Sequence, residues 1–112
     1  MTKVTIYKDT DILTGFKVEG HALYDIEGKD ILCAAISVLT INSINTITEI
    51  LKLEDYIEYA VGEVYISLDI DTEDLDERQL RDTQVVLKGF ELGVTSLLED
   101  YSEKLNLDYR EV

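Results

Sequence analysis

Val4 and Ile6 alternate with Thr5 and Tyr7 across residues 2–8, and after the polar Asp9-Thr10-Asp11 a second alternating run, residues 12–20, sets Phe16 and Val18 on one face. A period of two predicts two strands joined as a hairpin. Over residues 30–53 the spacing changes: Leu32, Ala35, Ile36 and Leu39, then Ile44, Ile47 and Leu51, recur as on a helix and occupy more than one of its faces. Such a helix should be buried on two sides. Its β-branched residues, among them Ile36, Val38, Thr40, Ile41 and Ile44, leave a strand within 36–47 as the alternative.

Residues 55–61 and 64–70 form a second alternating pair around Gly62-Glu63, with Val64, Ile66, Leu68 and Ile70 on the inward face. From about residue 75 to 105 the series Val86, Phe90, Val94, Leu97, Tyr101, Leu105 steps by three or four, opposite Lys88, Glu91, Glu99 and Glu103. That is an amphipathic helix able to cover a sheet. The order ββαββα, with an extra strand in 108–112, implies a two-layer α+β domain: an antiparallel sheet backed by two helices.

The chain has 112 residues, enough for one domain, residues 1–112, and too few for two. Ten Lys and Arg against 24 Asp and Glu give a net charge of −14, which repels phosphate backbones and anionic bilayers, so neither nucleic acid nor a membrane is an expected partner. Residues 31–50 are the one apolar stretch near the length of a membrane span, but Ser, Thr and Asn interrupt it, and no signal peptide opens the chain. A soluble cytoplasmic protein is expected. Cys33 is the sole cysteine, so it closes no intramolecular disulfide and builds no multi-cysteine metal site. Either it fills space in the core or it reacts.

Gly28-Lys29-Asp30 is a lead-in to the first helix with Asp30 as N-cap, which puts Cys33 at the third helical position. Unpaired N–H groups at a helix start favour a thiolate, whereas the Asp30 carboxylate opposes one, so a positive partner is needed. The only histidine, His21, closes the second strand. If residues 22–29 fold back, its imidazole can take the thiol proton and return it to a leaving amine. The bland reading is a small buried cysteine flanked by Ala34 and Ala35. A metal site from His21, Cys33 and the acids Asp25, Glu27 or Asp30 lacks the second Cys or His that usually closes a zinc shell.

Gly20-His21-Ala22, followed by Gly28-Lys29-Asp30-Ile31-Leu32-Cys33-Ala34-Ala35-Ile36-Ser37, resembles the signature of the ribosomal-processing cysteine protease family, and the ββαββα order is similar to that family's fold. The resemblance implies Cys33 as nucleophile, His21 as general base, and Asp30, Ser37, Gly20 and Gly28 as supporting positions, with no cofactor and no metal. It further implies a homodimeric bacterial enzyme that removes the N-terminal extension of a basic substrate, large-subunit ribosomal protein number twenty-seven. His21 preceding Cys33 is the reverse of the papain order. No residue plainly fills a third role orienting His21, and Leu23 stands where the family often has a smaller residue. The competing reading is a non-catalytic dimeric α+β module that binds a basic ribosomal partner through its acidic surface.

Two other patterns draw attention. Asp69, Asp71, Glu73, Asp74, Asp76 and Glu77 crowd together, but a calcium loop from Asp69 needs Gly and Glu where Asp74 and Leu80 stand. A solvated loop leading into a helix whose dipole suits acids is the expectation. Gly89 and Gly93 form a GxxxG that should permit close packing on a neighbour.

Overall fold

A computed structural model describes residues 1–20, 31–62 and 65–112. The first hairpin is β1 (Thr2–Asp9) and β2 (Ile12–Gly20), antiparallel as the alternation predicts, with Val4, Ile6, Phe16 and Val18 all buried. The register slips between Tyr7 and Lys8, so that Lys8 faces Leu13 while Tyr7 faces Gly15. This bulge turns Leu13 onto the core side despite its odd position, and the backbone groups it frees are taken by Gln84, whose Oε1 accepts from Leu13 N at 2.8 Å and whose Nε2 donates to Leu13 O at 2.7 Å.

The first helix, α1 (Ile31–Asn45), continues through a π-helical turn, Thr46–Ile50. Thr40, Ser43 and Thr46 donate their hydroxyls to the carbonyls of Ile36, Leu39 and Asn42, which satisfies polar groups on an otherwise apolar helix. The stretch ends where Lys52 takes φ 59° and Leu53 N reaches back to Ile47 O, a C-terminal closure lengthened by the wide turn. Within one chain the expectation of burial on two sides is met in part, since α1 packs on the sheet and, through Leu39, on α2. Leu32, Ile36, Thr40, Ser43, Ile44 and Ile47 form one buried face, whereas Ile31, Val38 and Ile50 remain about 70 % exposed because the single sheet offers only one covering layer. Residues 31–50 are long and apolar enough to cross a membrane by length and composition, but here their inner face belongs to the core shared with the sheet.

After a 3-10 turn (Glu54–Tyr56), β3 (Ile57–Val61) and β4 (Tyr65–Ile70) pair antiparallel, with Ile66, Leu68 and Ile70 inward as expected; Val64 lies outside the described residues. The acid-rich stretch then enters α2 (Glu77–Tyr101) through a capping box: Asp76 Oδ1 accepts from Gln79 N and Gln79 Oε1 accepts from Asp76 N. Thr83, Leu87, Phe90 and Val94 line its buried stripe, and Phe90 stacks on Phe16 with ring centroids 4.2 Å apart.

The helix stops short of residue 105, so Leu105 opens β5 (Leu105–Glu111) instead of ending α2, and this strand starts before the expected 108. It pairs parallel with β1, a departure from the wholly antiparallel expectation. The cause is connectivity: α2 carries the chain back to the end where β1 begins, as the bond from Thr2 N to Lys104 O shows, so β5 must run in the direction of β1. Tyr109 then fixes β5 to α2, its hydroxyl donating to Glu91 Oε2 at 2.6 Å; that bond and partial burial push the phenol up to about 12, so it stays a donor. The sheet order is β3-β4-β2-β1-β5, with both helices on one face.

The two glycines of the GxxxG do different things. A Cβ on Gly93 would lie 2.7 Å from Leu39 Cδ2, so this glycine admits α1 against α2, whereas a Cβ on Gly89 would meet nothing within 4 Å, contrary to the paired role expected. Gly89→Ala should therefore stabilise the protein by about 1 kcal/mol through helix propensity alone. Gly93→Ala should lose that gain to the displacement of Leu39, and equal rises in Tm for the two variants by calorimetry would contradict this account.

Candidate active site

Cys33 lies in the first described turn of α1 and is half-buried. Its place around the helix follows from the helical period: Leu39 on one flank faces Gly93 of α2, so Cys33, Ser37 and Ile41, which continue on the other flank, look away from α2. Since α2 packs on β2 and β5 and α1 lies against α2, α1 lies toward the β4 side of the sheet. The thiol flank is thus turned toward the β3 edge.

Position along the sheet is equally determined. The end of α1's continuation leads within a few residues to the start of β3, and 20 helical residues span about 30 Å, so the helix start lies at the opposite end, beside Val61 and Tyr65. Gly20 is at this end too, since Glu19 pairs with Tyr65 and Gly20 with Thr2. Gly20 has φ +122°, and a Cβ there would meet Met1 O at 2.3 Å, so only glycine lets β2 finish against β1 and turn the chain out toward residue 21. Of the residues expected at the site, Cys33, Ser37 and Gly20 come to one end of the molecule. His21, Gly28 and Asp30 lie outside the described residues, as does the capping role expected of Asp30.

Sequence reasoning singled out nothing at the start of β3. Here Asp55, Tyr56, Ile57, Glu58, Asp69 and Asp71 line a cleft of about 350 Å³ with Ile70. Glu58 and Asp69 stand directly opposite each other across the β3–β4 ladder. Burial, then the Glu58 charge, holds the Asp69 carboxyl above its ordinary value, and a side-chain hydrogen bond with Asp74 raises Asp71. The like charges meet only after the strands pair, which is why no local motif announces them. Among the described residues no cluster of His, Cys, Asp and Glu has the arrangement to hold a metal.

Comparison with known proteins agrees with this architecture. The family described as cysteine protease Prp matches residues 1–106. The ribosomal processing cysteine protease Prp of Bacillus subtilis is 21% identical over 108 residues, covering 96% of each chain. In three dimensions the chain is similar to SMU.848 from Streptococcus mutans, with a TM-score of 0.80, 24% identity, and coverage of 100% of this chain and 99% of that one. It is likewise similar to the essential ribosomal processing protease Prp of S. aureus bound to a covalently linked product peptide, with a TM-score of 0.77, 24% identity, and coverage of 98% and 100%.

The acidic cleft yields a pH dependence. Because the folded-state pKa of Asp69 is raised, the ionised carboxylate disfavours the fold, and that penalty is relieved as pH falls through the raised value toward the ordinary 3.8. Asp69→Asn should raise Tm at pH 7 by about 1–3 °C, the scale of an exposed, solvent-screened charge contact, with the gain vanishing near pH 4. A gain independent of pH in thermal melts would show that charge is not its source.

Proposed function

The chain belongs to the cysteine protease Prp family, and we propose that it is a cysteine endopeptidase acting through Cys33 and His21. In this reading the His21 imidazole takes the thiol proton, Cys33 Sγ attacks the scissile carbonyl carbon, and the C–N bond breaks as the imidazolium protonates the leaving amine. Water, deprotonated by the same imidazole, then hydrolyses the Cys33 thioester and releases the acid product. Backbone N–H groups at the start of α1 are the donors for the developing oxyanion. Gly20 and Gly28 shape the segment that carries His21, Asp30 caps the helix, and Ser37 lies one turn beyond Cys33.

The observation that carries this reading is the half-buried Cys33 at the start of α1, on the flank turned away from α2 and at the end where Gly20 delivers the chain to His21. The substrate is large-subunit ribosomal protein number twenty-seven in the cytoplasm, which loses its N-terminal extension. Its support is twofold: the B. subtilis relative is named a ribosomal processing protease, and a net charge of −14 attracts a basic ribosomal protein before specific contacts form. The enzyme acts as a homodimer in which the outer face of α1 is covered, since Ile31, Val38 and Ile50 are too exposed for a finished apolar surface.

Incubation with the full-length ribosomal protein, read by mass spectrometry, should release the extension. Cys33→Ala should abolish cleavage without unfolding the chain, and His21→Ala should lower turnover by about a hundredfold or more. Wild-type rates in the alanine variant at position 33, or a loss under tenfold at position 21, would remove the dyad. Light scattering at micromolar concentration should give twice the 12.7 kDa of one chain; a monomeric mass would withdraw the dimer.

A further inference from the structure

The outer edge of β3 carries an unused set of backbone bonds in a defined order. Gly62 N bonds to Tyr65 O and Asp71 N to Tyr56 O, and in an antiparallel ladder hydrogen-bonded pairs alternate with non-bonded ones. Glu58 and Ala60 therefore bond inward to β4, opposite Asp69 and Ser67, while the N–H and C=O groups of Tyr59 and Val61 point outward; the outward N–H of Ile57 is already taken by Glu54 O. The sheet order puts β3 at an edge, with no described strand beyond it. Ile57, Tyr59 and Val61 sit opposite Ile70, Leu68 and Ile66, so their side chains lie on the helix side of the sheet, where Tyr59 and Val61 are 54% and 56% exposed.

An exposed edge with apolar side chains is an invitation to strand pairing that proteins ordinarily block with charge, proline or a bulge. Here the charge stands on only one side. Glu58 projects to the face away from the helices, and beyond it lies the cleft of Asp55, Asp69 and Asp71. The helix side is apolar and runs toward the end where α1 begins with Cys33. A strand added to this edge would alternate likewise: residues on one face would meet Tyr59 and Val61, and those on the other would meet the crowded carboxylates, whose mutual repulsion a Lys or Arg relieves.

We propose that the outer edge of β3 is the substrate-docking strand, which binds an extended polypeptide whose alternate residues are apolar and basic and leads it toward Cys33. The occupant is the protein substrate and not a second copy of this chain, because two such edges would bring like-charged carboxylates together. This rests on the protease reading above, yet docking is separable from cleavage.

Amide hydrogen exchange on the Cys33→Ala protein, with and without a synthetic peptide spanning the junction of the ribosomal protein's extension, is the direct test. Peptide should slow exchange at Tyr59 and Val61 by about tenfold or more, with little change at Ile57, Glu58 and Ala60, whose N–H groups are already bonded within the chain. In parallel, Tyr59→Pro in the otherwise wild-type enzyme removes an outward N–H without touching the ladder. Its kcat/KM on the peptide should fall at least about tenfold, mostly in KM, while Tyr59→Val, which keeps the N–H, falls less, and alkylation of Cys33 by iodoacetamide is unchanged. Should the proline variant unfold, the exchange pattern decides alone. Cleavage without protection of the Tyr59 and Val61 amides would overturn the proposal and leave the protease standing. Protection without cleavage by the wild type would keep the docking strand and remove the protease. Amides already protected before peptide is added would assign the edge to a second copy and overturn the proposal.

Discussion

Leu39 entering the space left by Gly93 decides how α1 is rotated about its own axis, and the layout of the functional end depends on that rotation. An apolar helix without a polar face has no intrinsic preference for which side it buries. Contact with α2 supplies the preference. It turns Leu32, Ile36, Ile44 and Ile47 down onto the sheet and leaves Cys33 and Ser37 on the flank beside β3. The second anchor, Phe16 stacked on Phe90, holds α2 at the middle of the sheet, so the two helices share its area and Tyr59 and Val61 of β3 remain exposed.

Close backbone approaches reinforce this arrangement at positions where a side chain would be excluded. At Gly15 a Cβ would lie 2.0 Å from Leu68 O, so β2 and β4 meet more closely there than any other residue permits. Gly20 combines a positive φ with the Met1 carbonyl in the place of its missing side chain. The first glycine sets the spacing of the central strands, and the second sets the direction in which the chain leaves them.

Charge is distributed unevenly over this frame. Some acids perform local structural work, as Asp76 does in its capping box and Glu91 in holding Tyr109. Others, notably Asp69 and Asp71, are held above the ordinary carboxyl range, Asp69 by burial and then the Glu58 charge, Asp71 first by its hydrogen bond with Asp74, and lower the stability of the fold when ionised. Their cost to the isolated protein is what a basic partner would relieve, so the electrostatics of the cleft at the start of β3 favour association over self-sufficiency.

The sequence by itself determined most of the architecture: four strands by alternation, two helices by their period, the acid-rich entry to α2, and, through Gly20-His21-Ala22 and Cys33 in its motif, the family. Those signals are local, because side-chain periodicity and cap chemistry act over a few residues. What was illegible is what depends on contacts between distant segments. Only the tertiary structure decided that β5 runs parallel to β1, that Leu105 belongs to a strand, and which face of α1 turns to the sheet. The same holds for the division of labour between Gly93 and Gly89, and for Glu58 facing Asp69. In each case the deciding partner lies many residues away, so neither pattern nor propensity at the position itself could carry the information.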